Sequence, residues 1–352
     1  MSYVTRLPCL DGLRGIAAIA VMLFHFNTFF LPQARLPFVG RAYLAVDLFF
    51  LLSGFVMAHV YGSLLASSWQ AHWWEFARAR FARIYPLFAV TTLAMMTFVA
   101  LFKAPLIDVS FTSSSLWLQP LLLQHWASGL SWDYPSWSIG TEMEAYIFFV
   151  FAADLLLTGK HPRLIAACCV AVVATLSIAR GGSLNLFTGV SALLRTLSEF
   201  ALGVLLYRAR LDDTIFPRQW AAMLVALFVG LWAVSRFDLF AVVAFGCLIY
   251  HAASTSDMYG RLLNSRPLVA LGNWSYSIYL WHAPTHYAVM ASLAAIGFPV
   301  NNLGLLGSRL VLLVTGLAVV GLAAFNYQYF EIPVRRFVLY SRPDGLIRWR
   351  PR

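Results

Sequence analysis

Residues 10–31 read LDGLRGIAAIAVMLFHFNTFFL, and that stretch decides the fold. It is apolar over the ~20 residues that a bilayer core demands of a helix, yet it carries Asp11, Arg14 and His25. Ionisable groups at membrane depth are costly and mark function. Arg14 and His25 are eleven positions apart, which is three helical turns plus about 20° and about 16 Å of rise, so they share one face. Nothing after the stretch reads as a small-residue cleavage site, so it is expected to stay as a span and not leave as a signal peptide.

The rest of the chain agrees. Of its 352 residues 61% are apolar and 11% charged, against ~45–50% and ~25% in soluble domains. Twenty-five basic and 15 acidic side chains cannot cover a soluble globule of this size, and the mean hydropathy is +0.73. A soluble enzyme is excluded. Apolar stretches of spanning length predict helices over 10–31, 42–62, 83–102, 136–157, 164–180, 188–207, 218–235, 238–254, 267–297 and 304–331. Residues 115–126 are too short and Pro-broken to span, and read as an interfacial or re-entrant piece. The expected fold class is an all-α polytopic integral membrane protein of about ten transmembrane helices, with one domain over 1–340 and a short basic tail over 341–352.

With the N-terminus inside, 18 of the 25 Lys and Arg fall on the inner side and 5 on the outer, while Arg195 and Arg309 lie within spans. That bias places both termini in the cytoplasm. The net charge of +10 is then a topology signal that calls for no nucleic acid. Cys9, Cys168, Cys169 and Cys247 form no CxxC pair, and HExxH is absent, so no disulfide framework and no metal site are expected.

Asp47, Glu142 and His282 join His25 at about one depth in the outer half, four titratable groups from four helices. The bland readings stay beside the chemical one. An isolated histidine can be a satisfied core residue, Asp47 can cap its helix, and the Asn273, Tyr276, Tyr279, His282 stripe can be interhelical glue. At the inner rim, FARARFARIYP places Arg78, Arg80 and Arg83 near Arg14. Guanidinium groups grip phosphates bidentately, though rim arginines also meet lipid headgroups. Glu331 and Arg335 read as an i,i+4 pair.

Six motifs then occur in order: LDGLRGIAAIAVMLFHF, VDLFFLLSGFVMA, FARARFARIYPL, PSWSIGTEMEAY, LGNWSYSIYLWHAP and YFEIPVRRF. Together they resemble the membrane-bound acyltransferase-3 family over essentially the whole chain. The resemblance implies a multi-pass inner-membrane enzyme that moves acyl groups, often acetyl, from acyl-CoA to hydroxyls of surface glycans. It implies no permanently bound cofactor, with acyl-CoA as co-substrate and the lipid bilayer as surroundings. It puts the family's essential histidine on His25, its first-helix arginine on Arg14, its arginine motif on Arg80 and Arg83, its WSLxxE glutamate on Glu142 and its last histidine on His282. Ile139 replaces the usual leucine, Ala79 replaces a second basic residue and Ala145 an aromatic. The hydrolase-like domain that some members append is not expected here.

On that resemblance, Arg80 and Arg83, with Arg78 and Arg14, hold the acyl-CoA phosphates at the inner face. His25 is the general base, Glu142 or Asp47 fixes its tautomer, and His282, Tyr279 or Ser138 faces the oxyanion. A covalent acyl-histidine is the other route. The rival reading is a proton-coupled transporter, whose mid-membrane carboxylates and histidines serve as relays; the matching halves common in transporters are not seen.

Overall fold

A computed structural model describes residues 6–31, 36, 39–102, 117–127, 131–212, 218–254 and 258–340. Helix follows each of the ten apolar stretches. In chain order the helices are α1 (Pro8–Phe30), α2 (Ala45–Ser67), α3 (Trp69–Phe102), α4 (Trp137–Thr158), α5 (Pro162–Ala179), α6 (Gly189–Leu211), α7 (Arg218–Ser235), α8 (Asp238–Ser254), α9 (Met258–Leu263), α10 (Arg266–Ala295), α11 (Leu305–Asn326) and α12 (Ile332–Tyr340). No strand occurs among the described residues.

Among the described residues six segments are long and apolar enough to cross a membrane: Pro8–Phe30, Ala42–Ser67, Trp69–Leu101, Pro162–Ala179, Gly189–Leu211 and Leu305–Leu339. The protein is a membrane protein. Helix α4 carries Glu142, Glu144 and Asp154, and α10 carries the Asn273–His282 stripe, so the two long helices missing from that set are among those richest in polar side chains. Outward-facing Leu306, Leu310, Leu313, Val314 and Leu317 on α11 are exposed, the surface a lipid-facing helix presents.

Two boundaries differ from the sequence reading. Helix α3 begins at Trp69, not near residue 83, because no breaker interrupts WQAHWWEFARAR, and the arginine motif therefore lies inside one continuous helix. The last span does not stop at 331. It passes through a π-helical turn at Tyr327–Glu331 and continues as α12. The piece near 115–126 is a short irregular segment from residue 117, ending in a 3-10 turn at Gln124–Trp126, with Gln119, Gln124 and His125 buried. Residues 115, 116 and the 341–352 tail lie outside the described residues.

Glycines set the two closest helix crossings. A Cβ on Gly272 would stand 2.0 Å from the Asp11 carbonyl oxygen, and one on Gly15 would stand 2.7 Å from the Gly272 nitrogen. Helices α1 and α10 therefore touch backbone to backbone. His25 lies ten residues beyond Gly15 and His282 ten beyond Gly272, so parallel helices with equal rise bring the two imidazoles to one height. Helices α2 and α6 cross likewise at Gly54 and Gly203, where added Cβ atoms would stand 1.9 and 2.1 Å from the carbonyl oxygens of Phe200 and Leu51.

Candidate active site

The imidazoles of His25 and His282 meet between α1 and α10. His25 Nδ1 and His282 Nε2 are 3.0 Å apart, with ring centroids at 5.0 Å and planes 20° apart. His282 is wholly buried. The backbone carbonyls of Ile278 and Tyr279 lie on its helix side. A third imidazole, His286, one turn further along α10, stacks on Phe29 at 4.3 Å between centroids and is also wholly buried. The phenol of Tyr134, from the 3-10 turn at Tyr134–Ser136, covers the pair at 4.7 Å from His25 and 5.6 Å from His282. Beside it Asp133 packs near Thr91, and burial pushes its carboxyl well above the usual carboxylate range.

The four groups expected in one layer do not converge. Asp47 forms a two-pronged ion pair with Arg195 of α6, Nε to Oδ1 at 2.8 Å and Nη2 to Oδ2 at 2.6 Å. Arg195 Nη1 also donates to the Leu186 carbonyl at 2.9 Å. Glu142 accepts from Ser53 Oγ at 2.5 Å and from Tyr146 Oη at 2.6 Å. Neither carboxylate is the partner of His25; His282 is. The reason is geometric: equal depth fixes height but not azimuth, and α2 and α4 present their carboxylates to different neighbours.

Two of the expected oxyanion candidates are already engaged. Ser138 Oγ and Tyr279 Oη lie 2.7 Å apart, and both hydroxyls point at the Pro135 carbonyl, Tyr279 donating at 2.9 Å and Ser138 at 3.2 Å.

The guanidinium groups expected at the inner rim have identifiable neighbours. Arg80 donates to Tyr61 Oη at 3.3 Å and lies over the rings of Tyr61 and Tyr146. Arg83, Asp11, Glu142 and Tyr146 act on Arg14 electrostatically, so Glu142 belongs with this cluster and not with the histidines. Arg83 is paired with Glu331, which also accepts from Ser277 Oγ at 2.5 Å. The Glu331–Arg335 pairing is thereby corrected. The π turn shifts the helical register by one residue and delivers Glu331 to α3, while Arg335 is left facing Arg83 and Arg80 across a small open cleft. Arg78 is half-buried, and its Nε has no hydrogen-bond partner among the described residues.

Sequence reasoning misses Tyr134 and His286, and places Arg195 only as a charge within a span and Arg335 only as the partner of Glu331. His286 was visible in principle at i+4 from His282. Tyr134 carried no signal, since its position depends on how a loop folds back over α1. Among the described residues no group of three or more His, Cys, Asp or Glu side chains is arranged to hold a metal ion.

Comparison with known proteins gives a consistent account. The family model described as an acyltransferase domain matches residues 7–326. The chain is 23% identical over 373 aligned positions to the O-acetyltransferase OatA of Staphylococcus aureus, covering 94% of this chain and 57% of that protein. It thus spans little more than half the length of that relative. It is 30% identical over 312 positions to the acyltransferase MdmB of Streptomyces mycarofaciens, covering 79% of each. A 91-residue stretch is 48% identical to Protein 2 in picA locus of Rhizobium radiobacter, 26% of this chain and 44% of that protein. No solved structure matches. With its acyltransferase domain running over nine-tenths of the sequence, the chain belongs to the acyltransferase-3 family.

Proposed function

We propose that the protein is a multi-pass inner-membrane O-acyltransferase that moves an acetyl group from acetyl-CoA to a hydroxyl of a surface glycan, with His25 as general base. Ten spans with both termini cytoplasmic fit the basic residues on the inner side. The observation that carries the proposal is the His25–His282 pair, part-buried on the same helix pair whose inner end holds Arg14. The relatives named O-acetyltransferase and acyltransferase support the reaction class.

The chemistry follows from tautomers. His282 carries its proton on Nδ1, on the side of its own helix backbone, and accepts at Nε2 the Nδ1–H of His25. His25 Nε2 is then the basic nitrogen facing an acceptor hydroxyl, the orientation a triad's third member enforces. The phosphates of acetyl-CoA bind Arg80, Arg14, Arg78 and Arg335, with Arg83 held by Glu331 as the wall of that site. The rise of about 16 Å from Arg14 to His25 is comparable with an extended pantetheine arm, so the thioester reaches the histidines while the nucleotide stays at the inner face. Glu142 serves the donor side of the site, and Asp47 serves the fold.

Mass spectrometry of cell-envelope glycans with and without the protein tests the proposal. Loss of an acetyl mass on deletion, restored by the wild-type chain and not by His25→Ala, is the expected result. Unchanged glycans together with solute flux and no thiol release from acetyl-CoA in liposomes would overturn it in favour of a transporter.

A further inference from the structure

We infer that Tyr134 supplies the oxyanion donor of the reaction, an inference that rests on the acyl-transfer reading of the His25 site. The reaction needs one group that takes the hydroxyl proton and another that faces the thioester oxygen as charge builds there. His25 fills the first role. For the second, five side chains near it carry a donor, and four are otherwise placed, His286 because it stacks on Phe29 one turn further along α10. Ser138 and Tyr279 hydrogen-bond to each other and to the Pro135 carbonyl. His282 accepts at Nε2 from His25, and its donor nitrogen Nδ1 lies on the side of its own helix backbone at Ile278 and Tyr279. The phenol of Tyr134 remains: its ring is 4.7 Å from the His25 ring, it is 5% exposed, and its hydroxyl has no hydrogen-bond partner among the described residues.

A buried hydroxyl without a partner costs free energy that a fold ordinarily avoids, and one placed over a basic imidazole is satisfied once a polar substrate enters. Its position is built. The Ser136 amide donates to the Asp133 carbonyl at 2.8 Å, closing the turn that holds Tyr134. Tyr279 and Ser138 clamp the next carbonyl in the chain, and Phe29 and Tyr287 flank the ring at 5.6 and 5.9 Å. The engaged hydroxyls thus act as supports that aim the free one.

In the step, the acceptor oxygen bonds to the thioester carbon as His25 Nε2 takes its proton. The carbonyl π pair moves onto oxygen, where the Tyr134 O–H donates to it. Collapse re-forms the carbonyl and breaks the C–S bond, and the thiolate leaves with the proton from His25. The products are the ester and free thiol.

The test uses inverted membrane vesicles carrying the full chain, with acetyl-CoA as probe and the vesicles' own envelope as acceptor, read as thiol release. Tyr134→Phe keeps the ring over the histidines and removes the donor. It is expected to lower kcat about 10²–10³-fold, the usual consequence of removing one oxyanion donor, with KM for acetyl-CoA within twofold and monodisperse elution unchanged. Replacing Tyr134 with 3-fluorotyrosine, a stronger donor of nearly the same size, is expected to keep kcat within a few-fold of wild type. Wild-type kcat in Tyr134→Phe beside an inactive His25→Ala overturns this inference and leaves the acyl-transfer reading standing. A 3-fluorotyrosine variant as slow as Tyr134→Phe assigns the residue to packing and also overturns it. Wild-type vesicles no better than His25→Ala overturn both.

Discussion

Two polar pairs cross this bundle, and they differ in what surrounds them. Asp47 and Arg195 satisfy each other: both carboxylate oxygens face guanidinium nitrogens, the third arm of the guanidinium reaches a backbone carbonyl, the rings of Phe50 and Trp137 cover it, and the buried Glu199 carboxylate stands 3.8 Å from Nε as a second counter-charge. His25 and His282 are open: around their single contact lie the free hydroxyl of Tyr134 and both ring nitrogens of His286, all without a partner among the described residues. Equal depth therefore means different things. A satisfied pair holds helices together, whereas an unsatisfied cluster awaits a polar molecule.

The comparison breaks first at His25. His25→Ala is expected to leave the protein inserted and to lower thiol release from acetyl-CoA by about 10²–10⁴-fold, the range for losing a general base. Normal turnover in that variant would make the open pair another structural contact. Asp47→Ala should do the reverse. Removing one partner of a buried pair leaves the other charge stranded, which costs about 3–5 kcal/mol, so thermal melting in detergent should show a large loss of stability. Asp47→Leu combined with Arg195→Met and Glu199→Gln, which removes the carboxylate 3.8 Å from Arg195 Nε as well, should recover much of it. Full stability in Asp47→Ala with lost turnover would return this carboxylate to the chemistry.

These pairs also show what was legible in the sequence. Helix existence was, because spanning length and apolar content leave little choice in lipid. The meeting of His25 and His282 was half legible: both stood at one depth, but their pairing came from Gly15 and Gly272, whose spacing to the histidines matches. Arg195 reads in the sequence only as a charge within a span, although a mid-span guanidinium demands a carboxylate and Asp47 stands in another span. Glu331 was assigned to Arg335 by helical spacing alone. The π turn at Tyr327–Glu331 changed that, and residue periodicity carries no mark of a π turn. Tyr134 was illegible because a loop's return over a helix is a tertiary fact.

A smaller effect separates the arginines. Arg80→Ala and Arg335→Ala are expected to raise KM for acetyl-CoA about tenfold, within the ~1.5–3 kcal/mol of a hydrogen bond to a charged group, and to leave the melting temperature nearly unchanged. Arg83→Ala should instead lower stability, since it strands Glu331 against Ser277. Steady-state kinetics and melting on the same preparations distinguish the two behaviours. A pure KM effect in Arg83→Ala would mean that Glu331 releases it to the phosphates.

The smallest expected effect is the sharpest discriminator. Tyr279 lies on the same face of α10 as His282, with ring centroids 5.9 Å apart, and differs from Tyr134 in having its hydroxyl engaged by Ser138 and Pro135. Tyr279→Phe removes one hydrogen bond to a backbone carbonyl, worth about 0.5–1.5 kcal/mol of stability. The Ser138 hydroxyl keeps its own bond to Pro135, so the turn carrying Tyr134 loosens without coming free. Melting should fall by a few degrees and turnover by a few-fold at most. A loss of 10²–10³-fold at unchanged stability would show instead that the clamped hydroxyl swings to the thioester, and the distinction between closed and open polar groups would fail at the place where it matters most.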